Sequence, residues 1–179
     1  MERFVLDSIL FQPDLDSLAR QAQVTKDSPL YAELEACVRE AQAVARPKAM
    51  YRVGYIESRE ENTVVIDGIG FVSRVLRVNL DQAHRVFAYL ATCGTELQYW
   101  ANSLQDPLQQ YWGNTIQQMA LRAASQALSA DINERYQPGR TSSMAPDSSA
   151  VIRSSASSNS SSNAWHRAPT RDSSLPAMT

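Results

Sequence analysis

Two cysteines, two histidines and six glycines in 179 residues leave little material for several kinds of chemistry. Cys37 and Cys93 each sit inside an apolar pattern, where small buried hydrophobes are the ordinary reading and a disulfide or metal pair the rarer one. His84 has no cysteine or second histidine at ligand spacing, which argues against zinc and for a helix-end or surface position. His166 and Trp165 stand isolated in polar sequence. Asp67-Gly-Ile-Gly70 lacks the third glycine and the following helix of a dinucleotide loop, so it reads as a turn. A free-standing methyltransferase is disfavoured in the same way, because no glycine-rich strand-to-helix loop leads to an acidic strand end. No stretch approaches the roughly 18 consecutive apolar residues that mark a membrane span. The N-terminus has no basic region leading into an apolar run, so a cytoplasmic protein without signal peptide is expected. Charge of one sign is also missing. Seventeen basic against nineteen acidic residues give a net charge of -2, which argues against a general nucleic-acid binder.

What is present changes character along the chain. Phe4, Val5, Ile9, Leu10 and Phe11 open it, and Pro13 ends that segment. Asp14 is a cap for a short helix carrying Leu15, Leu18, Ala19 and Ala22. Ser28-Pro29 is a stronger start, with serine as cap and proline in the first helical position. Leu30, Leu34, Cys37, Val38, Ala41 and Val44 then recur every three or four residues, the buried stripe of a helix that stops before Pro47. From Met50 the period becomes two. Tyr51, Val53 and Tyr55 mark a strand, Glu57-Ser-Arg-Glu-Glu61 a turn, and Val64 to Ile66 a second strand ending at Asp67-Gly68. Phe71 to Val78 reads as a further strand. Val86-Phe-Ala-Tyr-Leu-Ala-Thr92 reads as a central strand covered on both faces, with a helix over Asp81 to Leu90 as the alternative.

After Cys93-Gly94, Leu97, Trp100, Ala101 and Leu104 mark one side of a helix, and Asp106-Pro107 restarts the chain. Ile116, Met119, Ala120, Ala123, Ala127 and Leu128 define the last and longest helix, to about Glu134. Its alanines let a neighbour approach closely. Trp100, Tyr111 and Trp112 are expected in the core rather than stacked on a ligand. Beyond the helix, Pro138 and Gly139 are expected to make a sharp turn, where Arg135 and Arg140 could converge on a carboxylate or a small zwitterion. The last 29 residues hold nine serines and almost no large apolar groups. Residues 149–179 are therefore expected to form a disordered tail behind one α+β module spanning 1–148.

Residues 50–78, the run Val86-Phe-Ala-Tyr-Leu-Ala-Thr-Cys-Gly-Thr-Glu-Leu97 and the alanine-rich helix ending Glu134-Arg-Tyr-Gln-Pro-Gly-Arg140 resemble the activation domain of vitamin B12-dependent methionine synthase. They are most similar to its small stand-alone relatives, over roughly residues 1–148. The resemblance implies an α+β fold with a curved, mainly antiparallel sheet and flanking helices. It implies binding of S-adenosylmethionine and presentation of its methyl group to cobalamin on a partner domain or corrinoid protein. Flavodoxin or an equivalent reductant would supply the electron. Arg135 would contact the methionine carboxylate, the Gln137 backbone the adenosine part, and Pro138 and Gly139 would keep the motif's turn. Arg140 stands where the full-length family carries tyrosine. Asp14 and Asp16 are both open as partners of the ligand amine.

The resemblance breaks off after the turn. The family continues into a Trp-Pro helix start and closing strands, whereas this chain has Ser148-Ser-Ala-Val-Ile-Arg-Ser-Ser155. A truncated or frame-shifted product is the expectation, with the domain incomplete and ligand binding reduced or lost. The competing reading is a non-enzymatic interaction or scaffold module.

Overall fold

The computed structural model describes residues 2–139, 141, 143 and 144. The expected tail at 149–179 lies outside the described residues. The elements in chain order are β1 (Arg3–Leu6), α1 (Leu15–Gln21), α2 (Pro29–Val44), β2 (Lys48–Arg59), β3 (Thr63–Ile66), β4 (Ile69–Val72), α3 (Arg74–Asn79), β5 (Arg85–Thr92), α4 (Thr95–Ser103) and α5 (Pro107–Tyr136). The class is α+β. The strands form one five-stranded sheet of order β1-β2-β3-β4, with β5 also paired to β2. The β1–β2, β2–β3 and β3–β4 pairs are antiparallel. No helix among the described residues is long and apolar enough to cross a membrane.

Contacts divide the chain into two compact units. One holds the chain up to Val53 together with Tyr89–Pro138; the other holds Gly54–Ala88 and the described residues from Gly139 onward.

The first unit is mainly helical, and its helices begin where the sequence caps them. The Asp14 carboxylate accepts the Ser17 N–H at 3.0 Å. Ser28 Oγ accepts from Leu30 N–H ahead of Pro29. The Asp106 carboxylate accepts from the Leu108 and Gln109 N–H groups at 2.8 and 3.1 Å. Each cap satisfies N–H groups that have no partner inside the helix. α4 starts differently, at Gly94 with φ 94 and ψ 144. A Cβ there would stand 2.6 Å from the Arg46 carbonyl oxygen, so only glycine fits. Along α5 the residues Trp112, Ile116, Ala120, Ala124, Leu128 and Ile132 are buried at every fourth position. Leu18, Leu34, Leu97, Trp112 and Ile116 are fully buried in one cluster. Trp112 is thus core, as expected. Trp100 is partly buried against the same cluster, with Nε1 3.4 Å from Glu40 Oε2, while Tyr111 is 44% exposed. Cys37 is buried, Cys93 half-buried, and both are free.

The second unit is built on a hairpin. Asp67 (φ 45) and Gly68 (φ 77) are both left-handed, as a two-residue turn matching the strand twist requires. The turn pairs Ile66 with Ile69. The Asp67 carboxylate accepts from Tyr55 N–H at 2.9 Å and the Glu57 carboxylate from Gly68 N–H at 3.0 Å. Val64, Ile66, Leu76, Leu80, Ala83 and Val86 form the core, with Met144 packed against it.

Three expectations are corrected here. β2 continues through Arg59, and the turn falls at residues 60–62, closed by Glu60 N–H to the Thr63 carbonyl at 2.8 Å. Residues 71–78 are not one strand. β4 stops at Val72, and Ser73 Oγ accepts the Leu76 N–H at 3.2 Å to start α3. The valines raised strand propensity there, and the serine cap overrides it. β5 is a strand but not a covered central one. It pairs with β2, only Val86 and Phe87 are buried along it, and Leu90 is 42% exposed.

Candidate functional site

The site begins with the reason α5 ends. Gln137 turns left-handed (φ 39, ψ 53) and returns its N–H to the Asn133 carbonyl at 3.0 Å. Pro138 follows and has no N–H with which to extend the helix. The reversal therefore sits at Gln137, one residue earlier than the Pro138-Gly139 turn the sequence suggested. Pro138 is half-buried and ends the first unit; Gly139 is an exposed bend residue that belongs to the second. Arg140 lies outside the described residues.

Arg135 occupies the last turn of α5, where a cation meets the negative end of the helix. Its Nε donates to both carboxylate oxygens of Asp131, at 2.9 Å each, one turn earlier. Half of the Arg135 side chain is exposed and only 15% of Asp131's. Asp131 also accepts from the Tyr51 hydroxyl at 2.6 Å. The antiparallel register places Phe4 opposite Tyr51, and the two rings stack at 4.8 Å between centroids with 18° between planes. The Arg135 guanidinium lies 4.8 Å from the Phe4 centroid. Tyr136 meets Phe4 edge-on at 6.2 Å. Two strands thus hold the last turn of α5 through an aromatic stack and one shared carboxylate.

The electrostatics follow from that geometry. Burial, then the bond to Asp131, pushes the Tyr51 hydroxyl far above the usual tyrosine range, so it stays a donor. The hydrogen bond that Arg135 donates to Asp131 raises the guanidinium above its ordinary value. The site can therefore present a fixed positive group, with no proton to exchange near neutral pH. Its open guanidinium surface suits a carboxylate, because the planar fork matches one. The neighbouring carbonyls of the final helical turn suit a cation.

Of the residues anticipated for a ligand, Arg135, Gln137 and Pro138 stand together at the helix end. The Gln137 N–H is committed to the helix, which leaves its carbonyl for a ligand. Asp14 is committed as the cap of α1. Asp16 is paired with Lys26 at 3.1 Å. Tyr111 in the first turns of α5 reaches the Gln21 carbonyl at the end of α1, and about 36 Å of helix separates Tyr111 from Arg135. Asp16 and Arg135 therefore cannot share one amino-acid headgroup. Asp131, Tyr51 and Phe4 were not anticipated. The Asp131–Arg135 spacing of four on a helix was a readable signal; the strand register that brings Phe4 and Tyr51 there was not. No cluster of metal-ligating side chains occurs among the described residues. No family model and no curated protein matches the chain.

Proposed function

We propose that this chain is an S-adenosylmethionine-binding protein of the activation-domain type, cytoplasmic, serving the reductive methylation of a cobalamin carried by a partner domain or corrinoid protein. The observation that supports the reading is the half-exposed Arg135 side chain, its guanidinium oriented by Asp131 beside a left-handed Gln137. The ligand's carboxylate pairs with the guanidinium. Its ammonium and sulfonium lie against the carbonyl end of α5, which favours positive charge, and the Gln137 carbonyl accepts from the adenine amino group. The bound ligand supplies the methyl group, and flavodoxin or an equivalent reductant the electron. The chain itself contributes placement and polarity.

Calorimetric titration with S-adenosylmethionine tests this. Wild-type protein should bind, Arg135→Ala should weaken binding about tenfold or more, and Arg135→Lys should recover only part, because the fork is lost. No binding by the wild type, or equal affinity in Arg135→Ala, overturns the reading.

A second reading, a non-enzymatic docking module, is favoured by Val72, Val75 and Val78, exposed at 82%, 61% and 64% in the second unit. The exposed Arg74 beside them selects an apolar partner segment flanked by acidic residues. Corrinoid-protein association that is lost in Val75→Asp/Val78→Asp, by a wild type that binds no S-adenosylmethionine, would support this reading over the first.

A further inference from the structure

The first unit contains a cleft of about 650 Å³ formed by α1, the turn that follows it and the start of α2. Its inner wall is apolar: Ala19 and Val24 are buried there, and the half-buried Tyr31 lines it too. Its rim carries charges of both signs, from Asp16, Arg20 and Lys26. α1 ends so as to shape this cleft. Gln23 turns left-handed at φ 56, its N–H returns to the Arg20 carbonyl at 3.2 Å, and the Val24 N–H reaches the Ala19 carbonyl at 2.9 Å. These paired bonds fold Val24 back against α1.

The rim charges are available to a ligand. The Asp16–Lys26 pair is 3.1 Å long, but its side chains are 64% and 72% exposed, so water already competes with it and little is lost when a ligand's charges replace it. Arg20 makes no ion pair among the described residues and leaves the rim with a net positive charge. We infer that this cleft is a binding site for a free α-amino acid with an apolar side chain. Arg20 and Lys26 take the carboxylate, Asp16 takes the ammonium, and the side chain lies on Ala19, Val24 and Tyr31. A purely anionic ligand meets Arg20 and leaves Asp16 to its Lys26 pair, and a purely cationic one leaves Arg20 unmatched. The zwitterion is the charge pattern that answers all three. The site is separate from the Arg135 end of α5, so the reading does not rest on the function proposed above.

Backbone amide spectra of the full chain, titrated with L-leucine, test it. The amides of Gln23, Thr25 and Lys26 should shift and saturate, while those near Arg135 stay in place. 4-Methylpentanoate, which lacks the ammonium, and isopentylamine, which lacks the carboxylate, should each bind about tenfold more weakly or worse. Asp16→Asn should remove the preference for leucine over 4-methylpentanoate, and Arg20→Gln should weaken both. These are exposed positions, and an unchanged melting temperature confirms that the variants fold. Absence of shifts at these amides up to about 10 mM leucine, or 4-methylpentanoate binding as tightly as leucine, overturns the proposal. S-adenosylmethionine titrated in parallel on Arg135→Ala keeps its failure distinct from that of the Arg135 site.

Discussion

The two units bury their apolar residues differently. In the first, one tryptophan is completely enclosed, and four helices supply Leu18, Leu34, Leu97 and Ile116 around it at zero exposure. In the second, a hairpin and a six-residue helix contribute to a smaller cluster of Val64, Ile66, Leu76, Leu80, Ala83 and Val86, while Val72, Val75 and Val78 stay largely exposed. A long helix delivers a buried residue every turn, so α5 alone fills the first core along its length. A short helix capped by Ser73 presents one residue, Leu76, inward and leaves its valines outside. Depth of core therefore follows element length here, and surface for docking follows its lack.

The comparison can be broken at its centre. Trp112→Ala should destabilise the first unit by about 3–5 kcal/mol, since it leaves a ring-sized cavity. Leu80→Ala should cost the second about 2–4 kcal/mol, because a smaller, more open core collapses more readily around the gap. Amide exchange resolved by residue reads each in its own unit. Equal losses would show that the two cores are packed to the same tightness. The Trp112 Nε1 is buried with no hydrogen-bond partner, so Trp112→Phe should be milder than its loss of volume suggests, by removing an unsatisfied donor.

Next in size is the link between the strands and α5. Tyr51→Phe removes the 2.6 Å bond to Asp131 and should cost about 2 kcal/mol. It should also change the response to alkali. A tyrosine whose folded value lies above its unfolded one contributes stability that is whole below the ordinary value near 10 and is lost as pH rises beyond it. Wild-type unfolding midpoints should therefore fall more steeply above about pH 10 than those of Tyr51→Phe. Parallel curves for the two proteins would remove the buried hydroxyl from the account.

Ser73→Ala sharpens the other side, with an expected loss of about 1 kcal/mol. Carbon chemical shifts across residues 74–79 should lose helical character before the hairpin melts. If they stay helical and stability is unchanged, the cap does not hold α3. This segment also shows where sequence reading stops. Ser28-Pro29, Asp106-Pro107 and Asp67-Gly68 are local signals acting on adjacent backbone, and each structure they dictate was readable. At Ser73 an equally local cap was outweighed by the run of valines, whose preference for strands depends on neighbours that are absent. The edge position of β5 was hidden for a related reason: an apolar run does not say how many sides of it are covered. Arg135 was legible through a motif and Asp131 through helical spacing. Phe4 and Tyr51 join them only through the β1–β2 register, which no local pattern encodes.

The smallest effects concern two left-handed glutamines, Gln23 at the exit of α1 and Gln137 at the exit of α5. Left-handed backbone strains any residue with a Cβ, and glycine is the usual occupant of such a helix end. Glycine also raises the entropy of the unfolded chain, which offsets part of the gain. Gln137→Gly and Gln23→Gly should each stabilise by about 0.5 kcal/mol, a rise of roughly 1–2 °C in melting temperature. Their ligand effects should separate the two sites. Gln137 is expected to serve S-adenosylmethionine through its carbonyl, so Gln137→Gly should keep that affinity while the Arg135 guanidinium stays bonded to Asp131. Gln23 lines the α1–α2 cleft, so Gln23→Gly should weaken leucine binding there and leave S-adenosylmethionine untouched. A loss of S-adenosylmethionine affinity in Gln137→Gly would show that the glutamine side chain, rather than its backbone, meets the ligand.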